Sequence, residues 1–284
     1  MISGLAVVDK PAGWTSHDVV ARCRKVFGQR RVGHAGTLDP DATGVLLVGL
    51  GPVTRLLRFL TALPKTYTGE VVLGTETSTL DAAGEVTATY DMASVSDDDV
   101  RAVCPRFTGP IEQVPPMVSA IKIGGQRLHQ LARQGIEIER PPRPVTIYRL
   151  VAGPLEGGAF PIEVECSAGT YVRSLASDLG RALGGGAHLR GLRRTAIGSF
   201  TVADAVPLAE LAEAHVLAPA AVLRGRPIVM VSGADADAVA HGRALTRAVG
   251  VAGPVAVVSD SGELLAVYEP APDGTLKPAV VLTG

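Results

Sequence analysis

Short apolar or alternating runs, separated by turns that contain Gly or Pro, recur along most of the chain and constrain its fold more than any other feature. The clearest lie at residues 5–8, 45–48, 145–151 and 160–166, and the last two alternate as half-buried strands do. Further strands are predicted at residues 65–74, 83–90 and 117–122. Because helical spacing occurs only between some of these runs, the pattern predicts an α+β fold.

The helices are predicted mainly from their starts. Thr15 and Asp18 have the spacing of a capping box, and apolar residues follow at helical spacing as far as Phe27. Ser96 precedes three aspartates, a run that favours a helix start over a metal site because carboxylates complement the helix dipole. The other segments predicted to be helical are residues 52–63, 126–134, 170–183 and 207–223, whereas residues 30–44 are predicted to be a loop.

The pattern changes near residue 224. Residues 224–227 resemble a linker, and after them short apolar runs at 227–231, 254–258, 264–268 and 278–282 alternate with turns. We therefore predict a large domain at residues 1–224 and a small β-rich accessory domain at residues 225–284. Deletion of the small domain is expected to leave activity, provided that the truncated chain folds.

Charge is distributed unevenly along the chain. The net charge of the 284 residues is −1, yet residues 1–60 carry eight Lys/Arg against four Asp/Glu, and residues 121–150 carry six against two. Two basic segments are compatible with a phosphate-binding surface, although solvated surface arginines would give the same counts. Charge alone therefore leaves a nucleic-acid partner open.

Cysteines and hydropathy indicate the compartment. Cys23, Cys104 and Cys166 are far apart and lack CxxC spacing, which disfavours a disulfide framework or a zinc site and favours the reducing cytoplasm. No segment reaches the roughly 18 consecutive apolar residues that a membrane helix needs. The first residues lack a basic n-region, so we expect no secretory signal.

The strongest candidate for a functional site is the glycine-bearing segment 31–44. Asp39 precedes Pro40, which restricts the backbone of the aspartate and so fixes the direction of its carboxylate. Asp39, Asp41 and Thr43 also match the DxDxT pattern of aspartate-nucleophile phosphatases, in which carboxylates hold magnesium. Those enzymes place the first aspartate at the end of a buried strand, and residues 33–37 predict a poor strand.

A family resemblance rests on this segment and on motifs that follow it in order. Residues 33–46, with Gly33, His34, Asp39 and Pro40, closely resemble the signature loop of bacterial tRNA pseudouridine-55 synthases. The other motifs are Asp9-Lys10-Pro11-x-Gly13, Lys65-Thr66-Tyr67, Pro115-Pro116-Met117-Val118-Ser119-Ala120-Ile121-Lys122, Gly125-x-Arg127, Ala132-Arg133-x-Gly135, Ser167-Ala168-Gly169-Thr170-Tyr171-Val172-Arg173 and Leu192-Arg193-Arg194-Thr195-x-x-Gly198.

The resemblance implies a pseudouridine synthase fold with a mixed, largely antiparallel sheet and flanking helices, followed by a PUA-like RNA-binding domain. It implies isomerisation of uridine 55 in the T-loop of tRNA, with the base flipped out of the stack and without a cofactor or metal. We expect a monomer. The roles implied are Asp39 as the catalytic carboxylate, Arg173 as its ion-pair partner, Tyr67 stacked on the uracil, Tyr171 and Leu192 lining the uracil pocket, His34 contacting the nucleotides that flipping rearranges, and Lys10 in substrate binding.

Pattern alone gives these residues plainer readings. Tyr67, Tyr171 and Leu192 would be core residues, and Arg173 a surface residue of a helix. No role is predicted for His17, His129, His188, His215 or His241. Many relatives carry aromatic residues where Val118 and His129 stand here, which puts stacking near those positions in doubt. The alternatives are a magnesium-dependent phosphatase and a non-catalytic RNA-binding protein.

Overall fold

The structure is a computed structural model that describes residues 2–119, 122–123, 126–127, 136, 138–246 and 253–282. Two compact units are present: residues 1–40, 44–63 and 197–284 form the first, and residues 41–43 and 64–196 form the second. The described α-helices are α1 Ser16–Val26, α2 Leu57–Thr61, α3 Asp97–Val103, α4 Val172–Ala182 and α5 Gly233–Ala240. The strands are β1 Gly4–Lys10, β2 Val32–Ala35, β3 Thr43–Leu50, β4 Lys65–Leu73, β5 Thr75–Thr77, β6 Val86–Thr89, β7 Gly109–Gln113, β8 Lys122–Ile123, β9 Gln126–Arg127, β10 Arg143–Ala152, β11 Ala159–Cys166, β12 Ala187–Ile197, β13 Phe200–Thr201, β14 Val206–Pro207, β15 Ile228–Val231, β16 Val255–Ser259, β17 Leu264–Pro270 and β18 Leu276–Val281.

In the first unit, β1 and β3 form a central antiparallel pair. β2 also pairs antiparallel with β3, and β14 pairs parallel with β1. Helix α1 begins where the sequence predicts, because Thr15 and Asp18 close a capping box. Its buried residues Val19, Val20 and Cys23 join a core with Val32 and β1, β3 side chains. Both β1 and β3 are almost entirely buried, as their continuous apolar runs require.

The C-terminal residues of the first unit form a four-stranded sheet in the order β15-β16-β17-β18. One face carries Val229, Val257 and Tyr268, which pack with α5 residue Val239. The other face, with Val258, Val267 and Val280, belongs to the same apolar core as Leu5, Val53 and Phe59 of the N-terminal segments. Two arginines add polar contacts: Arg55 donates to the carbonyl of Val281 (2.7 Å) and Arg58 to that of Ala279 (3.0 Å).

This shared core changes the expectation for a truncated chain. We expect that deletion of residues 225–284 lowers the free energy of unfolding by several kcal/mol, since full burial of each Val or Leu side chain contributes about 1.5–3 kcal/mol. Denaturant unfolding of the truncated and full-length proteins measures the difference. Met230→Ser in the full chain is the control, because Met230 is exposed on β15. An unchanged unfolding midpoint after truncation would show that the C-terminal sheet is an independent domain.

In the second unit the strands follow the order β12-β4-β11-β10-β7. The pairs β4–β11, β11–β10 and β10–β7 are all antiparallel, and Tyr67 lies opposite Val164 in this ladder. Helix α4 has a buried face that contains Val172, Leu175 and Leu179. The predicted α+β class with a largely antiparallel sheet and flanking helices is therefore confirmed. None of the helices in the described ranges is long and apolar enough to span a membrane.

Several local predictions are wrong. Residues 32–35, predicted as loop, form β2. Pairing with β3 provides hydrogen-bond partners for the backbone N–H and C=O groups of this short segment. Residues 207–223 form no α-helix. Their helical parts are the short 3-10 helices Glu213–His215 and Pro219–Leu223, since Leu208 and Leu211 pack in one core and Val222 and Leu223 in another.

The remaining corrections concern residues 117–134 and the helix predicted at 52–63. The helix is mostly a 3-10 segment, Gly51–Leu56, before the short α2. Residues 117–119 form bends, with β8 beginning at Lys122, and residues 120–121 lie outside the described residues. Gln126 and Arg127, predicted to start a helix, form β9, which pairs with β8. The rest of that prediction, residues 128–134, also lies outside the described residues.

Candidate active site

The loop that carries Asp39 connects β2 to β3. Gly36 (φ 94°) and Gly44 (φ 101°) adopt backbone conformations that side chains other than glycine rarely allow. Leu38 is buried, Asp39 is half-buried and Asp41 is exposed. Asp39 stands four residues beyond the end of β2, whereas the phosphatase pattern needs this aspartate directly at a strand end. The described residues contain no cluster of three or more His, Cys, Asp or Glu arranged to hold a metal.

Lys10 lies beneath this loop. Its side chain is fully buried, and Nζ donates to the carbonyls of Pro11 (2.9 Å), Trp14 (2.7 Å) and Pro40 (2.8 Å). The Gly13 amide also donates to the Pro40 carbonyl, at 3.0 Å. An ammonium group has three N–H donors, and these three carbonyls match them in number. Lys10 therefore anchors the residue that follows Asp39, and a direct contact with substrate stays a prediction.

His34, on β2, packs against His17, to which the sequence analysis gave no role. The two rings meet edge to face, with centroids 5.5 Å apart and planes at 81°. His17 is the second residue of α1 and is exposed, whereas His34 is half-buried. The start of α1 therefore limits the orientation of the His34 ring. No sequence pattern links these two histidines, which lie 17 positions apart.

Arg173, on α4, is buried and held on several sides within the second unit. Its Nε lies 3.6 Å from Oδ2 of Asp81, and its two terminal nitrogens donate to the carbonyls of Thr79 and Val118, both at 2.9 Å. Pattern alone would have placed Arg173 on the surface, and the structure instead buries it. The Val118 contact uses a backbone oxygen, so the departure from relatives at that side chain leaves this contact intact.

Asp81 is an acidic partner of Arg173 that the sequence analysis missed. Asp81 lies in a turn. The Thr79 hydroxyl closes this turn by donating a hydrogen bond to Asp81 Oδ1 at 2.5 Å. The Ala83 amide donates to the same oxygen at 3.1 Å. Leu80, between Thr79 and Asp81, is the one described non-glycine residue with a positive φ, 62°. A left-handed leucine is strained, and such strain persists only where the surrounding contacts impose it.

Tyr67, Tyr171 and Leu192 also belong to the second unit. Tyr67 is 9% exposed on β4, and Leu192 is half-buried on β12. Tyr171 directly precedes α4, and its backbone exchanges two hydrogen bonds with the amide side chain of Gln113: its N–H donates to Oε1 (3.0 Å) and its C=O accepts from Nε2 (3.2 Å). Gln113, a second residue that the sequence analysis missed, therefore fixes the position from which the Tyr171 side chain leaves the backbone.

Lys65 begins β4, two positions before Tyr67 on the same face of the strand. Burial, reinforced by the nearby charge of Arg194, lowers the pKa of Lys65 to about 8. Cys166 lies opposite Lys65 in the ladder, and burial raises the pKa of its thiol to about 11. The lysine of the Lys65-Thr66-Tyr67 motif is thus a buried group whose pKa lies well below that of an exposed lysine.

The structure distributes the predicted site residues between its two units. Lys10, His34 and Asp39 lie in the first, on β1, β2 and the β2–β3 loop. The second carries Tyr67, Tyr171, Arg173 and Leu192, which lie on β4, at the start of α4, within α4 and on β12. Each unit thus carries some of the predicted site residues. Contacts within the first unit hold Lys10 and His34, and contacts within the second hold Tyr171 and Arg173.

The signature loop and the mixed sheet with flanking helices define the class of protein as a pseudouridine synthase. Two solved structures have the same fold: a chain of a Cbf5-Nop10-Gar1 complex (TM-score 0.77, 27% identity, 98% of this chain and 84% of that one) and a chain of an H/ACA RNP bound to a substrate RNA containing 2'-deoxyuridine (TM-score 0.76, 25% identity, 99% and 85%).

Family models identify the group within this class. The TruB family pseudouridylate synthase N-terminal domain matches residues 24–172, the tRNA pseudouridylate synthase B C-terminal domain matches 173–224, and the tRNA pseudouridine synthase II C-terminal domain matches 227–283. The chain belongs to the TruB family of pseudouridylate synthases. Two relatives called tRNA pseudouridine synthase B are those of Rhodococcus jostii, 48% identical over 94% of this chain and 90% of that protein, and of Thermobifida fusca, 45% identical over the full length of both.

Proposed function

We infer that this protein is an isomerase that converts uridine 55 in the T-loop of tRNA to pseudouridine. The observation that carries the inference is the signature loop around Asp39, in a chain that matches the TruB family over nearly its whole length. The N1–C1′ bond breaks, the uracil turns, C5 bonds to C1′, and the proton lost from C5 is balanced by one gained at N1. The product has the same atomic composition as the substrate, so the reaction consumes no co-substrate.

Asp39 is proposed as the catalytic carboxylate. Breaking the glycosidic bond leaves an electron-poor sugar, and an ionised carboxylate can capture it, add to the uracil ring or remove a proton from C2′. All three routes require Asp39 in its charged form. The restricted backbone before Pro40, together with the anchoring of Pro40 by Lys10 and Gly13, supports a carboxylate of fixed direction.

Arg173 is proposed as the cation that keeps the Asp39 carboxylate charged. Desolvation raises the pKa of a carboxylate, and a nearby guanidinium lowers it again. The support is that Arg173 is itself buried, so that solvent screens the charge of its guanidinium only weakly. Asp81 and the carbonyls of Thr79 and Val118 hold it in a fixed orientation.

The base is proposed to lie against aromatic and apolar side chains of the second unit. Tyr67 stacks on the uracil, and Tyr171 and Leu192 line its pocket. Extrusion of a base costs a few kcal/mol, which stacking on a fixed aromatic ring offsets. His34 is proposed to contact the nucleotides that flipping rearranges, supported by the edge-to-face contact with His17 that limits its ring.

A basic surface on α1 and the turn after it supports RNA binding. Arg22, Arg24, Lys25, Arg30 and Arg31 are all exposed, and the sequence between Asp18 and Asp39 holds no acidic residue. None of the five forms an ion pair with a residue in the described part of the chain. Because such cations release counterions from phosphates, they favour RNA binding that weakens with salt.

The domain division and the compartment are also proposals. We propose that residues 1–224 carry catalysis and that residues 225–284 form a PUA-like accessory RNA-binding domain, supported by the separate family match at 227–283. We further propose a monomer in the cytoplasm. The compartment is supported by three buried cysteines, all of them free thiols.

We expect the enzyme to recognise the shape of the T-loop. An isolated T-arm stem-loop should react at a rate close to that of full tRNA, because folded RNA loops are read through backbone geometry and splayed bases. A linear oligonucleotide of the same sequence, unable to form the stem, should react far more slowly, and binding of the stem-loop should weaken steeply with salt. Equal rates for the linear and the folded RNA would contradict shape recognition.

A further inference from the structure

We propose that Ser16 is a positioning residue for the Asp39 carboxylate. The inference rests on the proposed function, in which Asp39 is the catalytic group. Ser16 is the first residue of α1 and its side chain is fully buried. It therefore acts only through the residues around it, without touching the substrate.

The Ser16 hydroxyl is bonded to both backbone groups of the residue directly before Asp39. Its Oγ accepts a hydrogen bond from the Leu38 N–H at 2.9 Å and donates one to the Leu38 C=O at 3.3 Å. The two residues are 22 positions apart in the chain. One hydroxyl thus replaces the backbone pairing that a strand would have given to Leu38, in a loop where Leu38 belongs to no strand.

These bonds restrict the direction in which Asp39 projects. The Leu38 carbonyl belongs to the planar peptide that joins Leu38 to Asp39, so fixing this oxygen fixes the plane before Asp39. On the other side, the ring of Pro40 restricts its own φ and the backbone of Asp39, and Lys10 and Gly13 hold the Pro40 carbonyl. Ser16 supplies a hold on the N-terminal side of Asp39, through both backbone groups of Leu38.

The start of α1, which carries Ser16, is itself fixed in place and can therefore restrain Leu38. Thr15 and Asp18 cap the helix, so the hydroxyl of Ser16 is not needed by its own helix. Serine near a helix start usually bonds to local backbone. Here the hydroxyl instead forms hydrogen bonds with Leu38, in a loop that is distant in sequence. Val19, Val20 and Cys23 bury the same helix in the core and keep its start in place.

The test compares variants in single-turnover reactions with saturating enzyme. We expect Ser16→Ala to lower the rate constant about 100-fold, because a displacement of about 1 Å at a reacting group can cost that much. The KM for the T-arm stem-loop should stay within about twofold of the wild-type value, since phosphate and base contacts are untouched. Ser16→Thr keeps the hydroxyl and should retain clearly more activity than Ser16→Ala.

Ser177→Ala is the matched control. Ser177 is also a buried serine of a helix, and its Oγ has no hydrogen-bond partner in the described part of the chain. It should keep wild-type single-turnover kinetics. Should Ser16→Ala fail to fold, Ser16→Cys replaces it, with a weaker donor and acceptor of similar size and an intermediate expected rate.

The outcomes separate this inference from the proposed function. A folded Ser16→Ala or Ser16→Cys protein with the wild-type rate would overturn it, as would equal losses in Ser16→Ala and Ser16→Thr. A rate loss accompanied by an equal rise in KM would also overturn it, because that result describes damaged binding. If the wild-type protein itself forms no pseudouridine, the proposed function fails first.

Discussion

Asp39→Asn is expected to abolish turnover while leaving the fold and RNA binding intact. The amide is nearly isosteric with the carboxylate but can act neither as nucleophile nor as base, so all three routes open to Asp39 are blocked. Removal of such a group from an enzyme costs at least about 10⁴-fold in kcat. The measurement is pseudouridine formation in a T-arm stem-loop under single-turnover conditions, together with the Kd for the same RNA.

Asp41→Asn is the matched control for this substitution. Asp41 lies two positions further along the same loop and is exposed, so its loss should change the rate little. The pair of variants also distinguishes the isomerase from the phosphatase pattern, in which both carboxylates hold magnesium. Measurable pseudouridine from pure Asp39→Asn protein, or an equal loss in Asp41→Asn, would remove Asp39 from its proposed role.

Arg173→Ala is expected to have the second largest effect. Breaking a buried ion pair on one side costs about 3–5 kcal/mol, or roughly 10²- to 10⁴-fold in rate where the loss falls on the transition state. Without the guanidinium the pKa of the Asp39 carboxyl should rise, because burial is no longer compensated. The carboxylate is the active form, so activity should fall most at low pH and partly return as pH increases.

The pH–rate profile therefore separates this role from a purely structural one. Arg173→Lys should recover only part of the rate, since a point charge cannot reproduce the planar, multidentate contacts to Asp81, Thr79 and Val118. Arg181→Ala is the control, because Arg181 lies on the same helix and its exposed side chain forms an ion pair with Glu76. Near-wild-type activity of Arg173→Ala across the pH range would show that no ion pair with Asp39 is needed.

Where local sequence carried enough information, the fold could be predicted. The capping box at Thr15, the acidic helix start after Ser96 and the alternating strands β10 and β11 follow from contacts within a few residues, and all are confirmed. Strand β12 was missed because Arg190, Arg193 and Arg194 interrupt its apolar alternation, although Arg194 is buried. A buried arginine depends on partners elsewhere in the chain, which no local pattern reveals.

In the candidate site, too, residues marked by local sequence could be predicted, whereas residues that act through contacts far along the chain could not. Asp39 could be singled out because Pro40 and the flanking glycines mark a restricted loop, and the motif set extended the prediction to Arg173 and Tyr67. Asp81, Gln113 and Ser16 could not be found, since each acts through a hydrogen bond or ion pair with a residue far along the chain. Asp and Ser are common in turns and helix starts, where they usually serve local structure, and nothing in the local sequence marks Gln113.

The most direct test is to map pseudouridine in full-length, unmodified tRNA after incubation with the purified protein, by chemical labelling and reverse transcription. We expect modification of a single uridine, at position 55 in the T-loop, with the wild-type protein and with Asp41→Asn, and none with Asp39→Asn. Absence of pseudouridine with the wild-type protein, modification at another position instead, or persistence of the product with Asp39→Asn would contradict the assignment.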